Sequence, residues 1–84
     1  MEKVTSEELQ KLLTSKRNEL GLTQQDVVNL SKTGITRQFY GMIENGERRP
    51  SVKVAKDIAK VLRIDWTIFF EIKSNQKLRD KNTA

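Results

Sequence analysis

Apolar residues recur along the chain at spacings of three and four, the period of helices buried on one side. Leu9, Leu12, Leu13 and Leu20 form the first stripe, with Lys16 and Arg17 between them. Ahead of it, Thr5 and Glu8 stand at capping-box spacing, and Glu7 and Glu8 complement the positive end of the helix dipole. Gly21 stops this helix. Thr23 caps a second one, with Asp26 at the capping-box acid position and Val27, Val28 and Leu30 as its apolar residues. Valine is a mediocre helix former, so burial rather than propensity must hold this segment. Ser31-Lys32-Thr33-Gly34 reads as a turn. Thr36 then caps a third helix over 36–45, which Asn45-Gly46 closes, since both residues tolerate the left-handed conformation. Pro50-Ser51 is a stop followed by an N-cap. Val52, Val54, Ala55, Ile58, Ala59 and Leu62 make the fourth helix strongly amphipathic, and Asp65 caps a last short helix from Trp66 to Glu71, anchored by Trp66, Phe69 and Phe70. Residues 68–72 have strand propensity, but a lone strand has no partner here. The pattern predicts an all-α domain over residues 1–72 and a flexible basic tail over 73–84, where Leu78 is the only large apolar residue.

The third helix divides into two faces. Phe39 or Tyr40, then Ile43, fall on a stripe suited to a core. Arg37, Gln38, Gly41 and Met42 fall largely on the other. Arginine bonds bidentately to guanine and glutamine to adenine on their major-groove edges, so this face has the chemistry of a base reader. The plainer alternative is ordinary polar cover on a solvated helix.

Composition narrows the function. Cys and His are both absent, which removes disulfides, thiolate chemistry, the commonest general base and the commonest metal ligand. With no glycine-rich phosphate loop and no acids clustered at ligand spacing, an enzyme is not expected, and no cofactor or metal is implied. The N-terminus lacks the apolar run of a signal peptide, and no stretch approaches a membrane span. A cytoplasmic protein is the default. Net charge is +5 with a pI near 9.8, which suggests a polyanionic partner. Its distribution weakens that inference. Lys73, Lys77, Arg79 and Lys81 against Asp80 give the tail +3, leaving +2 for residues 1–72, so the argument rests on local placement.

Three pieces in order, Lys16-Arg17 through Gly21-Leu22-Thr23-Gln24, then Gly34-Ile35-Thr36-Arg37, then Ile43-Glu44-Asn45-Gly46, resemble the lambda repressor and Cro-like (XRE-type) helix-turn-helix family. The resemblance covers roughly residues 9–71. It implies a compact five-helix bundle whose second and third helices form the helix-turn-helix, the third lying in the major groove. By position it implies base contacts from Arg37, Gln38 and Met42. It implies phosphate contacts from Gln24, Thr36, Asn45, Arg48, Arg49, Ser51 and Lys53, with Lys56 a weaker candidate. It makes Arg17 and Glu44 an internal ion pair. The plainer readings are that Gln24 is first-turn polar cover and Met42 a core gap-filler. The implied protein is a nucleoid-associated repressor or Cro-like transcriptional regulator of the phage or mobile-element kind. It would act as a homodimer on an inverted repeat in double-stranded DNA, with no membrane or small-molecule partner. An antitoxin or adaptor using the same fold for protein–protein interaction is the alternative.

The chain departs from the family pattern in three places. The turn between the second and third helices is two residues longer, with Lys32-Thr33 the extra pair. Val28 stands where the family usually has alanine. Gly41 sits mid-helix at a cost of about 1 kcal/mol relative to alanine, which is expected to let the backbone approach DNA closely.

Overall fold

The computed structural model describes residues 4–71. The tail read as flexible and basic, 73–84, lies outside the described residues. Four α-helices follow in order: α1 (Ser6–Leu20), α2 (Gln24–Ser31), α3 (Arg37–Glu44) and α4 (Val52–Leu62). A 3-10 helix, Trp66–Phe70, closes the bundle. The fifth element is therefore not an α-helix. Asp65 accepts from the amide of Thr67 and from its hydroxyl, and the five residues that follow are β-branched or aromatic, too short and too poor in helix formers to propagate an α-helix.

Each α-helix begins on a hydroxyl. Thr5, Thr23, Thr36 and Ser51 accept from the amides of Glu8, Asp26, Phe39 and Val54. Thr5–Glu8 and Thr23–Asp26 are complete capping boxes. The ends are more varied. Gly21 closes α1 at φ 71°, but α2 and α4 end on left-handed Lys32 (φ 54°) and Arg63 (φ 61°). Neither was expected to adopt a conformation that favours glycine. The turn after α2 is held by Lys32 and Gly34, both at positive φ. It is also held by hydroxyls: Ser31 donates to the Val28 carbonyl, and Thr33 accepts from the Ile35 amide.

The core is one cluster of Leu9 and Leu13 from α1, Val27 and Val28 from α2, Tyr40 and Ile43 from α3, Ala55, Ile58 and Leu62 from α4, and Phe69. α4 packs on α1, α2 and the 3-10 helix, while α3 packs on α1 and α2. Of the two aromatics open to the α3 stripe, Tyr40 is fully buried and Phe39 only partly. Val28 is accommodated in the cluster rather than expelled. Val52, counted into the α4 stripe by its spacing, is exposed, because it stands at the first residue of the helix beyond the reach of the core. The segment after the 3-10 helix does find a backbone partner: the Val4 amide donates to the Glu71 carbonyl at 2.8 Å. That bond ties the two ends of the described chain together.

Candidate nucleic-acid interface

The orientation of α3 is set by one buried carboxylate. Glu44, only 2% exposed, lies on the core face with Tyr40 and Ile43. Burying an unpaired carboxylate would be prohibitive, and here every side of it is met. Arg17 of α1 grips it with two prongs, Nε to Oε2 at 2.8 Å and Nη2 to Oε1 at 3.1 Å. Gln24 of α2 donates Nε2 to Oε1 at 2.8 Å, and the Tyr40 hydroxyl donates to Oε2 at 3.0 Å. The third guanidinium nitrogen of Arg17 donates to the Leu22 carbonyl at 3.2 Å, fixing the junction between α1 and α2. Three helices thus converge on a single side chain of α3.

The same contacts move protons. Its hydrogen bond to Glu44 raises the Arg17 pKa above the ordinary value, outweighing a partial burial that acts the other way. Burial pushes the Tyr40 phenol well above its usual range, and the neighbouring Glu44 charge adds to the shift. Both groups stay protonated throughout the physiological range.

Gln24 is the link between this buried knot and the exposed end of α3. Its amide nitrogen serves Glu44, while its carbonyl oxygen accepts from Arg37 Nη1 at 3.4 Å. Gly41 explains the space for it. A Cβ at Gly41 would lie 3.7 Å and 3.9 Å from the two polar atoms of the Gln24 side chain. The glycine therefore faces α2 and its carboxamide, not the open approach expected of it. Sequence spacing gave no sign that Gln24 would bond Glu44. The one local hint was the mid-helix glycine itself, a mark of close approach by another group.

The remaining candidates lie around this link. Arg37 and Gln38 are exposed on the first turn of α3, and Met42 one turn later is half-buried. The Thr36 and Ser51 hydroxyls accept the cap bonds of α3 and α4, which leaves each O–H able to donate to a phosphate. Asn45 accepts from Gln10 of α1 at 2.8 Å through its carbonyl oxygen, so its amide N–H groups can still donate outward. Arg48 and Arg49 are exposed on the loop after α3. The Arg49 guanidinium lies 5.6 Å from the centre of the Phe70 ring. Lys56 lies 5.0 Å from that of Trp66, and the two rings meet edge to face. Lys53 pairs with Asp57 one turn along α4 at 3.1 Å. Among the described residues, no His, Cys, Asp and Glu side chains are grouped to hold a metal ion, and no helix is long and apolar enough to cross a membrane.

Two short helices joined by the turn over 32–36, the second presenting exposed polar side chains from its first turn, define a helix-turn-helix protein. The chain belongs to the XRE-type helix-turn-helix family, whose family model, described as Helix-turn-helix, matches residues 13–69. It is also similar to YqaF of Bacillus subtilis (strain 168), called an uncharacterized HTH-type transcriptional regulator. The two are 46% identical over 77 residues, covering 90% of this chain and 99% of the relative. No solved structure gives a match.

Proposed function

We propose that this protein is a sequence-specific double-stranded DNA-binding transcriptional regulator that reads the major groove with α3, as a homodimer on an inverted repeat. The observation that carries the proposal is the Glu44 knot. Arg17, Gln24 and Tyr40 hold α3 so that Arg37 and Gln38 project from its exposed first turn. Family membership and the regulator name of the B. subtilis relative support the same reading. Arg37 and Gln38 carry bidentate chemistry for guanine and adenine, and Met42 offers an apolar contact for a thymine methyl. Gln24, Thr36, Asn45, Arg48, Arg49, Ser51 and Lys53 form the phosphate track, which supplies affinity rather than discrimination. Gln24 joins that track only by sharing or leaving its bond to Glu44. One such reading head spans few base pairs. A two-fold dimer would place two copies of α3 about 34 Å apart, one DNA turn. The regulator would act as a repressor or Cro-like protein in the cytoplasm, at the nucleoid.

Selection of duplexes from a random pool tests this directly. A palindromic consensus with half-sites one turn apart is expected; recovery of no consensus would refute sequence-specific binding. On the selected site, Arg37→Ala or Gln38→Ala should cost about 1–3 kcal/mol and relax specificity. Arg48→Ala should weaken binding to every sequence alike. Matching loss profiles across cognate and mismatched duplexes would contradict this division of labour.

A further inference from the structure

The candidate DNA contacts sit at the starts of α2, α3 and α4, at Met42 one turn along α3, and on the loop between α3 and α4. The opposite end of α4 is also cationic. Lys60 and Arg63 lie there, about 15 Å along the axis from Ser51. They rim an open cleft of about 420 Å³ whose walls are Leu20, Leu22, Leu30 and Val61. That volume falls within the span of ligand-sized pockets, roughly 300–1,000 Å³. Leu30 is 55% exposed. A single exposed leucine is ordinary, but here it borders a concave aliphatic surface with charge of one sign at its edge. Screening removes most of the attraction of exposed charges beyond about 8 Å at physiological salt. The two cations therefore add little to a duplex held at the far end of α4.

We propose that this cleft docks an acidic amphipathic segment of another protein, with aliphatic side chains entering between Leu22, Leu30 and Val61 and carboxylates pairing with Lys60 and Arg63. Charge selects this occupant. The tail 73–84 carries net +3 and would be repelled by the rim. The Val4–Glu71 bond stands beside the start of α1, whereas the cleft lies at the other end of that helix, about 22 Å away along its fifteen residues. Two copies meeting cleft to cleft would oppose four cations across the seam. An acidic helix satisfies both the aliphatic walls and the rim.

The test is an NMR titration of the full chain, without DNA, using two synthetic helical peptides. One carries leucines a turn apart flanked by glutamates; the other has lysines in place of the glutamates. The glutamate peptide should shift Leu20, Leu22, Leu30 and Val61 and bind about ten-fold more tightly than the lysine peptide. Leu30→Glu should abolish its binding. Lys60→Gln combined with Arg63→Gln should remove most of the discrimination between the peptides. These side chains face solvent, and unchanged resonances of Leu9 and Phe69 would verify that the variants fold. No binding, equal affinity for the two peptides, or shifts confined to other surfaces would overturn the proposal. So would contacts from Leu78 to Leu30, or cleft shifts that grow with protein concentration alone, since these assign the cleft to the chain itself. DNA takes no part in the measurement, so failure here leaves the operator-binding proposal standing.

Discussion

Glu44 is the residue on which the architecture of α3 depends. Four hydrogen bonds from three side chains meet its two oxygens. A buried pair of this kind adds little over an apolar substitute, yet removing one partner strands the other and typically costs about 3–5 kcal/mol. Tyr40 offers a cleaner probe, because the chain has one tyrosine. Its folded pKa is raised, so the fold favours the protonated phenol. The corresponding stability is fully present below the unfolded tyrosine pKa near 10 and is lost as pH rises toward the folded value. Between about pH 10 and 11, the wild-type chain should lose about 1 kcal/mol from this group, somewhat less than the roughly 1.36 kcal/mol per unit reached once the unfolded phenol is fully ionised. Tyr40→Phe lacks a hydrogen bond to a charged group and should start about 1–3 kcal/mol less stable at neutral pH. The gap between the two proteins in urea melts should then narrow in alkali. Lysine titration is common to both and cancels. A gap independent of pH would place the phenol outside the buried network.

At the scale of elements, two glycines do different work. Gly46 follows α3 at φ 80°, where a side chain is strained. An added Cβ would also meet the Ser6 side chain at 2.8 Å and its Cα at 3.2 Å. This glycine is where the end of α3 docks onto the start of α1, a contact reinforced by Gln10 and Asn45. Gly46→Ala should destabilise the protein by about 2–4 kcal/mol, adding left-handed strain to a steric shift. A melting temperature close to wild type would show that the two helices do not meet there. Gly41 has ordinary φ and only van der Waals neighbours at the added Cβ. Gly41→Ala should therefore stabilise α3 by up to about 1 kcal/mol. Because that Cβ points at Gln24 and not toward open solvent, affinity for the selected operator should stay essentially unchanged. A clear loss of specific binding would instead restore the close-approach role expected of this glycine from its place in the sequence.

For the whole molecule, charge is local rather than global. Arg48, Arg49 and Lys53 are the cations of the proposed phosphate track, three per chain. If each releases one counterion, the logarithm of the binding constant should fall with the logarithm of salt at a slope of about −3 for one chain and about −5 for a dimer. Fluorescence anisotropy across a salt series distinguishes the two. A slope near zero would mean that these cations do not meet phosphate. Lys53 must exchange Asp57 for DNA, and Arg49 sits on Phe70. Their contributions therefore depend on the 3-10 helix and α4 as much as on the loop. The same reasoning leaves Lys60 and Arg63, which line the aliphatic cleft, outside the proposed phosphate track and available to the proposed acidic segment.

Much of this protein was legible from residues near one another in the chain. The four hydroxyl caps, the two capping boxes, the glycine after α1 and the apolar faces of α1 and α4 all depend on hydrogen bonds or periodicity within one or two helical turns. Linear order therefore suffices to place them. Three features depended on packing between distant segments. Gln24 is committed to Glu44 across 20 residues and Arg17 to Glu44 across 27. Val4 finds Glu71 only because the 3-10 helix returns the chain to its start. The aliphatic cleft exists only where the ends of α1, α2 and α4 meet. Family resemblance could name Arg17 and Glu44 as partners, but their periodicity could not. A helix repeats every 3.6 residues, and that pattern records which face is buried, not which neighbour it will find there.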